Sequence, residues 1–304
     1  MTSLAAPQPA LRTWLLAVRP ATLPAAASGV VVGLGAALAV GAAFRPDTAL
    51  GCLAVAILLQ VLANLANDLS DFRRGADTPD RAGPTRVASA GLVSPRQLEL
   101  AIGLTIAAAG LVGAWLAWVG GPAIVALGIL AIVAALAYTG GPWPYGYRAL
   151  GEVFVFIFFG LVAVVGTAYL QALRFEALFV VAAIPMGALI TAILVVNNLR
   201  DIPTDAAAGK RTLAVALGRR ATAVEYGLLL ALAFAVPVAL LLAGQGIAQL
   251  LPLCSAPLAA PLLRTVRGFA EPRQLNAVLA GTARLALVFG ARFAVALALP
   301  GWPS

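Results

Sequence analysis

Long stretches without a charged residue constrain this chain more than any other feature of its sequence. Each of the stretches 23–44, 48–67, 153–173 and 177–199 is free of charge and has about the 20 residues that an α-helix needs to cross roughly 30 Å of hydrocarbon. Hydrophobic residues make up 62% of the chain and charged residues 11%, whereas soluble domains are about 45–50% apolar. The sequence therefore predicts an integral membrane protein built of α-helices.

Two longer uncharged runs must each hold two spans. The run between residues 99 and 148 is divided at 120–122, and the run between 225 and 264 at 244–246, because glycine and proline interrupt helices. The first run then holds spans near 101–119 and 123–139. A last span runs from about residue 284 to residue 300. We therefore expect a polytopic helical bundle of about nine transmembrane helices, in a single domain that covers residues 1–304.

Basic residues predict the orientation of these helices, since Lys and Arg accumulate in cytoplasmic loops. With a cytoplasmic N-terminus, all of the 20 basic residues except Arg45, Arg174 and Arg292 lie on the cytoplasmic side. Residues 1–19 are expected to lie at the membrane interface. The net charge of +8 then reflects topology and attraction to lipid, with no need of a nucleic-acid partner. We expect a protein of the cell membrane.

The residue types present limit the chemistry that the chain can perform. The sequence has no histidine, which removes the usual general base and the commonest transition-metal ligand. Cys52 and Cys254 lie in apolar stretches without CxxC spacing, so we interpret both as core residues. Any catalysis must therefore use carboxylates, amides, Arg, Lys or Tyr.

The pattern Asn-x-Leu-x-Asp occurs twice, as NDLSD at 67–71 and NNLRD at 197–201, each time at the end of an apolar stretch. Ionisable groups at membrane depth are costly and are therefore candidates for function. The alternative is that these acids mark solvated loops. Spacings of i, i+3/4, i+7 and i, i+4, i+8 place the polar residues of each motif on one helix face. These residues are Asn64, Asn67 or Asp68, and Asp71 in the first motif, and Asn197, Asp201 and Asp205 in the second.

Oxygen ligands suit a hard cation such as Mg²⁺, which proteins hold with one or two carboxylates together with substrate phosphates. Basic residues that would bind phosphate oxygens follow both motifs: they are Arg73, Arg74, Arg81, Arg86, Lys210 and Arg211. The two motifs thus favour a diphosphate bound through metal over solvated loops. Pro203 lies between Asp201 and Asp205 and predicts a kink or an unwound turn there.

These stretches resemble the UbiA superfamily of intramembrane aromatic prenyltransferases. The first Asp-rich motif of that superfamily is matched by NLANDLSDFRRGADTPDRAGPTR at 64–86, and the second by DIPTDAAAGKRTLAVALG at 201–218. Further similar stretches are RPATLPA at 19–25, YTGGPWPYGYRALGEVFVFIFFGLVAVVGTAYLQ at 138–171 and LNAVLAGTARL at 275–285. Because the third acid comes as late as Asp77, the sequence is most similar to the branch that prenylates 1,4-dihydroxy-2-naphthoate for menaquinone or phylloquinone.

The resemblance implies a UbiA-like fold and Mg²⁺-dependent transfer of a polyprenyl group from its diphosphate to 1,4-dihydroxy-2-naphthoate, with loss of CO₂ and diphosphate. The site regions are then 64–96 and 197–220, facing the cytoplasm. The metal ligands and catalytic groups would be Asn67, Asp68, Asp71, Asp201 and Asp205. Diphosphate would contact Arg73, Arg86, Lys210 and Arg211. Secondary or orienting residues would be Asn64, Asp77, Asn197 and Asn198.

Aromatic residues cluster near the end of the fourth predicted span and include Tyr138, Trp143, Tyr145 and Tyr147. They would stabilise an allylic cation by cation–π attraction, or form an interfacial aromatic belt. The carboxylate of the acceptor needs a cationic partner. Arg148 is the first candidate, with Glu152 orienting it, and Arg19 is the second. An ordinary interfacial ion pair between Arg148 and Glu152 is the alternative.

Two rival functions remain open at this point. One is a prenyltransferase of the same superfamily that uses another acceptor, such as 4-hydroxybenzoate, homogentisate or a tetrapyrrole. The other is a cation-coupled transporter, because repeated motifs and ionisable groups also occur in such folds. The acids here lie at span ends beside basic residues, which favours the enzyme. No obligate protein partner is inferred.

Overall fold

A computed structural model describes residues 10–75 and 82–299, and these are nearly all helical. The α-helices in chain order are α1 Ala10–Val18, α2 Leu23–Ala39, α3 Pro46–Arg73, α4 Pro95–Gly120, α5 Pro122–Ala137, α6 Gly151–Val155, α7 Ala163–Ala172, α8 Ala177–Ala207, α9 Leu213–Leu242, α10 Ala256–Gly268 and α11 Leu275–Ala298. A π-helical segment, Phe156–Val162, joins α6 to α7. The 3₁₀ turns are Pro20–Thr22, Tyr145–Tyr147, Ile247–Ser255 and Pro272–Gln274.

Eight helical stretches in the described part of the chain are long and apolar enough to cross a membrane, and the shorter apolar helix α5 adds a ninth. The prediction of a multi-pass helical bundle is therefore confirmed. Helix α3 continues past the uncharged stretch 48–67 to Arg73, as the one-face spacing of the first motif predicts. The last helix begins at Leu275, well before the expected residue 284.

Small residues allow the helices of the bundle to approach closely. A Cβ atom built on Gly35 of α2 would lie 2.5 Å from the Cα atom of Ala294 in α11. One built on Gly33 would lie 2.6 Å from the carbonyl oxygen of Val164 in α7. Because lipid tails are as apolar as the side chains, close packing of this kind, and not escape from water, holds membrane helices together.

Helix α8 lies at the centre of the main apolar core. Phe179, Met186 and Leu189 on α8 are fully buried, as are Phe289 and Phe293 on α11. These residues belong to one cluster of buried apolar side chains that also draws on α2 and α9. The central packing of α8 fixes the position of the second Asp motif at its C-terminal end.

Helix α8 contains Pro203 and remains α-helical to Ala207, so the predicted unwinding at this proline is wrong. A proline removes a single backbone bond, the one its own N–H would donate to the residue four positions earlier. The helix ends only a few residues later, where the Ala208 N–H donates to the Thr204 carbonyl at 3.0 Å. Asp205 therefore stays on the helix that carries Asp201.

The two Asp motifs lie at the C-terminal ends of α3 and α8, and we call this side of the bundle the motif end. The opposite ends of the helices are called the far end. Asp77, a predicted orienting residue, lies outside the described residues, as do Asp80 and Arg81. The chain after this gap is bonded to the bundle, since the Asn276 amide of α11 donates to the Ala82 carbonyl at 2.9 Å.

Candidate active site

A cavity of about 330 Å³ runs into the bundle from the motif end. Its polar wall contains residues of both motifs, namely Asn64, Asn67, Asp71, Asn197, Asp201 and Asp205, together with Arg19, Arg86 and Lys210. Its remaining wall is mostly apolar and extends to Cys52 on α3 and Leu170 on α7. One cavity thus combines a charged mouth with a long apolar interior.

Asp71 is the acid of the first motif that faces the cavity. Its Oδ2 atom accepts from Arg86 Nη2 at 3.0 Å, and its Oδ1 atom accepts from the Tyr147 hydroxyl at 3.2 Å. Burial, followed by the charge of Asp71, raises the pKa of Tyr147. The phenol therefore stays protonated and remains a hydrogen-bond donor to the carboxylate.

Asp68 has different contacts from those expected of a metal ligand. Its Oδ2 and Oδ1 atoms accept from the backbone N–H groups of Val87 and Ala88, each at 3.1 Å. Arg19 Nη2 lies 3.9 Å from Oδ2. The side chain is 1% exposed and does not line the cavity. These contacts show a carboxylate that anchors the loop after the first motif.

Two asparagines of the first motif face the cavity. Asn64 donates to the Val18 carbonyl at 2.8 Å and to the Thr22 hydroxyl at 3.0 Å, which ties α3 to the turn between α1 and α2. Asn67 accepts from the Thr139 hydroxyl at 2.9 Å. These contacts hold Asn64 in place, and its orienting role stays a prediction. Asn67 keeps its amide group at the cavity wall.

Asp201 is paired with Arg200, a residue that the sequence prediction missed. Arg200 Nε and Nη2 donate to the two carboxylate oxygens of Asp201 at 2.7 Å each. The same guanidinium donates to Asn197 at 2.8 Å and to Asn276 of α11 at 2.9 Å. Arg200 is 2% exposed. The signal that could have found it is a cation inside the second motif at the end of an apolar span.

Asp205 and Lys210 complete the charged mouth. Lys210 Nζ lies 3.6 Å from Asp205 Oδ1 and 5.4 Å from the centre of the Tyr147 ring. Tyr147 also donates to Asp71. The structure therefore brings the two motifs together around one tyrosine.

Four predicted site residues lie elsewhere. Arg73 is 55% exposed and paired with Glu99 of α4. Arg211 is exposed and forms an isolated backbone bridge with Arg148. Arg148 is exposed and stacks on Trp143 at 5.0 Å. Asn198 is buried and its amide donates to Glu152 at 2.9 Å. Glu152 therefore contacts Asn198, whereas it was expected to orient Arg148. None of these four side chains lines the cavity.

The aromatic residues divide into two groups. Tyr138, Tyr145, Phe154 and Phe158 line the cavity. The Tyr138 and Tyr145 ring centres are 5.4 Å apart, and those of Tyr145 and Phe154 are 4.0 Å apart. Trp143 is exposed and has the position of an interfacial belt residue.

The mouth of the cavity offers a small number of oxygen donors for a divalent metal. Among residues 10–75 and 82–299, no group of three or more His, Cys, Asp or Glu side chains is placed to hold a metal ion. Asp71 with Asn67, and Asp201 with Asp205, instead offer one or two carboxylates on each side of the cavity. This donor set is typical of Mg²⁺ bound jointly by protein carboxylates and substrate phosphates.

A multi-pass helical bundle with two Asp-bearing helix ends at one cavity defines a class of membrane protein. Residues 27–288 match the UbiA prenyltransferase family, and the chain belongs to that family. It is 44% identical over 285 residues to the 1,4-dihydroxy-2-naphthoate octaprenyltransferase of Mycobacterium tuberculosis, covering 94% of this chain and 96% of the relative. It is 37% identical to the enzyme of the same name from Escherichia coli, covering 96% of each.

Solved structures have the same fold. A UbiA homolog from Aeropyrum pernix superposes with a TM-score of 0.69 at 18% identity, covering 89% of this chain and 97% of that one. A UbiA homolog from Archaeoglobus fulgidus bound to GPP and Mg²⁺ superposes with a TM-score of 0.66 at 14% identity, covering 94% and 100%. The prediction of a UbiA-like bundle is therefore confirmed.

Proposed function

We propose that this protein transfers a polyprenyl group from polyprenyl diphosphate to 1,4-dihydroxy-2-naphthoate, releasing CO₂ and diphosphate and giving demethylmenaquinol or its demethylphylloquinol equivalent. The observation that carries the proposal is the single cavity in which Asp71, Asp201 and Asp205 meet an apolar interior. A diphosphate fits the first part and an isoprenoid chain the second. Similarity along nearly the whole chain to relatives named for this activity supports the choice of acceptor.

The charged mouth would bind the diphosphate and a divalent metal. Asn67, Asp71, Asp201 and Asp205 would hold Mg²⁺, and Arg86 and Lys210 would contact phosphate oxygens. A bound divalent metal supplies positive charge that stabilises the departing diphosphate. Arg73 and Arg211 are removed from this assignment because their side chains do not line the cavity.

The aromatic wall would shield the allylic carbon as its bond to diphosphate oxygen breaks. Tyr138, Tyr145 and Phe154 form a row of rings along the cavity wall. Ring faces attract a cation by about 2 kcal/mol or more in a desolvated site. These positions support the cation-stabilising role over the interfacial belt for the three residues.

The acceptor would be held by Arg19, which replaces Arg148 as our first candidate. Arg19 lines the cavity and is 21% exposed, and its guanidinium would pair with the acceptor carboxylate.

In the reaction, the bonding pair of the C–O bond leaves with diphosphate and a ring carbon forms the new C–C bond. The bond to the carboxylate carbon then breaks, returning its electrons to the ring and releasing CO₂. No dedicated base is required.

The protein is an integral multi-pass membrane protein, and we place it in the cell membrane with the motif end facing the cytoplasm. The basic residues Arg73, Arg86 and Arg148 all lie near that end, as the positive-inside rule expects. All catalytic parts belong to one domain in this proposal.

The test is an assay of the detergent-purified full-length protein with 1,4-dihydroxy-2-naphthoate, Mg²⁺ and a series of polyprenyl diphosphates. We expect a prenylated naphthoquinol that forms only with metal and is lost in Asp71→Asn and Asp201→Asn. Arg148→Lys is the matched control and should retain activity. Prenylation of 4-hydroxybenzoate and not of the naphthoate would overturn the assigned acceptor, and no product with any acceptor would overturn the activity.

A further inference from the structure

Three glycines line the apolar interior of the cavity: Gly113 on α4, Gly128 on α5 and Gly166 on α7. A Cβ atom built on any of them meets no other atom within 4 Å. Glycines that serve helix packing in this bundle look different, because a Cβ on Gly33 or Gly35 would lie within 3 Å of a neighbouring helix. The three cavity glycines therefore keep space open, and helix contact does not explain them.

The three glycines lie at a similar depth. Gly113 comes seven residues before the end of α4, Gly128 six residues after the start of α5, and Gly166 six residues before the end of α7. At 1.5 Å per residue each is about 9–11 Å from the far end of its helix. By this count they line the deep part of the cavity at one level, and we call the three residues the glycine ring.

The cavity continues past this level to an apolar floor. Cys52, Leu116 and Leu170 belong to one cluster of buried side chains, with Ile124 packed against it, and all four line the cavity. Asp71 and Cys52 are 19 residues apart on α3, so the distance from mouth to floor is about 28 Å. An extended chain gains about 1.2 Å per bond, which makes a five-carbon prenyl unit about 5 Å long and the cavity nearly six units deep.

We propose that the glycine ring sets the length of isoprenoid chain that the enzyme accepts; this inference rests on the proposed function. Gly128 lies nine residues before the end of α5 at Ala137, about 14 Å along the helix, and Thr139, at the mouth beside Asn67, follows two residues beyond that end. The first three prenyl units of a donor thus end before the ring, and the following units must pass through it. A side chain at the ring would obstruct long donors and leave short donors unaffected.

The test compares Gly113→Leu and Gly128→Leu with Gly110→Leu. Gly110 lies on α4 less than one turn from Gly113, is exposed, has open space at its Cβ position and does not line the cavity. Each purified protein is assayed for kcat/KM with polyprenyl diphosphates of two, three, five and eight units. We expect the two ring variants to lose about tenfold or more for the five-unit donor, which passes the ring and ends before the floor, relative to the three-unit donor. Gly110→Leu should keep the wild-type ratio.

Three outcomes would overturn the inference: an unchanged ratio in both ring variants, an equal loss with all donors, or the same shift in Gly110→Leu. If a leucine variant does not fold, Gly113→Ala and Gly128→Ala give the same comparison with a smaller side chain, and an unchanged donor preference there would count against the ring. Absence of prenylated naphthoquinol from the wild-type protein with every donor would instead refute the proposed function, so the two failures are distinguishable.

Discussion

Arg200 and Asp201 are neighbours in the sequence, and their side chains form a bidentate pair at the end of α8. The guanidinium also reaches Asn276 on α11. Removing one partner of a buried ion pair costs roughly 3–5 kcal/mol, because the other charge is left uncompensated. We therefore propose that Arg200 is a positioning residue, which fixes how Asp201 meets the cavity.

Arg200→Lys should keep the charge and the fold but lose the two-pronged geometry, since an ammonium cannot reproduce the planar fork of a guanidinium. We expect kcat to fall about tenfold to a hundredfold, from one lost charged hydrogen bond of roughly 1.5–3 kcal/mol. The Mg²⁺ concentration needed for half-maximal rate should rise. Arg148→Lys, at an exposed position, is the control. Wild-type metal dependence in Arg200→Lys would contradict the positioning role.

Lys210 and Arg211 offer a matched pair for testing the diphosphate contact. Lys210 is buried at the cavity wall, whereas Arg211 is exposed and its side chain does not line the cavity. Lys210→Ala should raise KM for the donor about tenfold, the effect of one lost charge-assisted hydrogen bond. Arg211→Ala should stay within about twofold of wild type, because exposed charges contribute little. The reverse order of effects would reassign the phosphate contact.

Tyr147 gives a prediction about pH. Its pKa is raised by burial and by Asp71, so folding favours the neutral phenol. This contribution to stability is complete below the usual tyrosine pKa of about 10 and is lost as the pH rises through the raised value. Thermal unfolding of wild type and Tyr147→Phe should therefore differ by a constant amount between about pH 6 and 9. A difference that changes within that range would show that the phenol ionises there.

At the scale of single elements, α3 and α8 show what the sequence could predict. The i, i+4 spacings placed Asp71, Asp201 and Asp205 on cavity-facing sides of their helices. Asp68 could not be separated from them, because its partners are backbone groups of a loop nearly twenty residues away. Arg73 and Arg148 were misjudged for a related reason, since a basic residue beside a motif can point outward.

The loop after the first motif should depend on Asp68. Asp68→Asn replaces one of the two oxygens that accept from Val87 and Ala88 with an amide donor. We expect faster proteolysis within 82–94 and a lower rate, with an unchanged metal requirement. Asp71→Asn should lose metal-dependent turnover with a smaller gain in protease sensitivity, because Asp71 contacts this loop only through the Arg86 side chain among the bonds described here. Limited proteolysis followed by mass spectrometry measures the cleavage within 82–94. If Asp68→Asn instead changed the Mg²⁺ requirement of the reaction, Asp68 would again be a candidate metal ligand.

At the scale of the whole molecule, the cavity has a charged mouth at the motif end and an apolar floor towards the far end. The sequence predicted the spans from their length and lack of charge, and the motifs from their repeated pattern. The cavity itself could not be predicted. Its walls come from many helices, and its depth depends on where glycines contact other helices and where they face open space.

The orientation of the bundle can be measured with one added cysteine in a Cys254→Ser background, which retains only the buried Cys52. Ala90 is exposed in the loop after the first motif, and Ala43 is exposed between α2 and α3 at the far end. In intact cells, an impermeant maleimide should label Ala43→Cys and leave Ala90→Cys unlabelled until the membrane is opened, because basic loops face the cytoplasm. The reverse labelling pattern would invert the proposed topology.

Among the described residues, each of the three acids at the cavity mouth is paired with a basic residue: Asp71 with Arg86, Asp201 with Arg200 and Asp205 with Lys210. A diphosphate ester entering this mouth adds several negative charges that the existing pairs cannot offset. Under the proposed function, the donor and a divalent cation must then favour each other's binding. Linkage makes this coupling reciprocal: the affinity for metal should rise with donor concentration by the same factor by which metal strengthens donor binding.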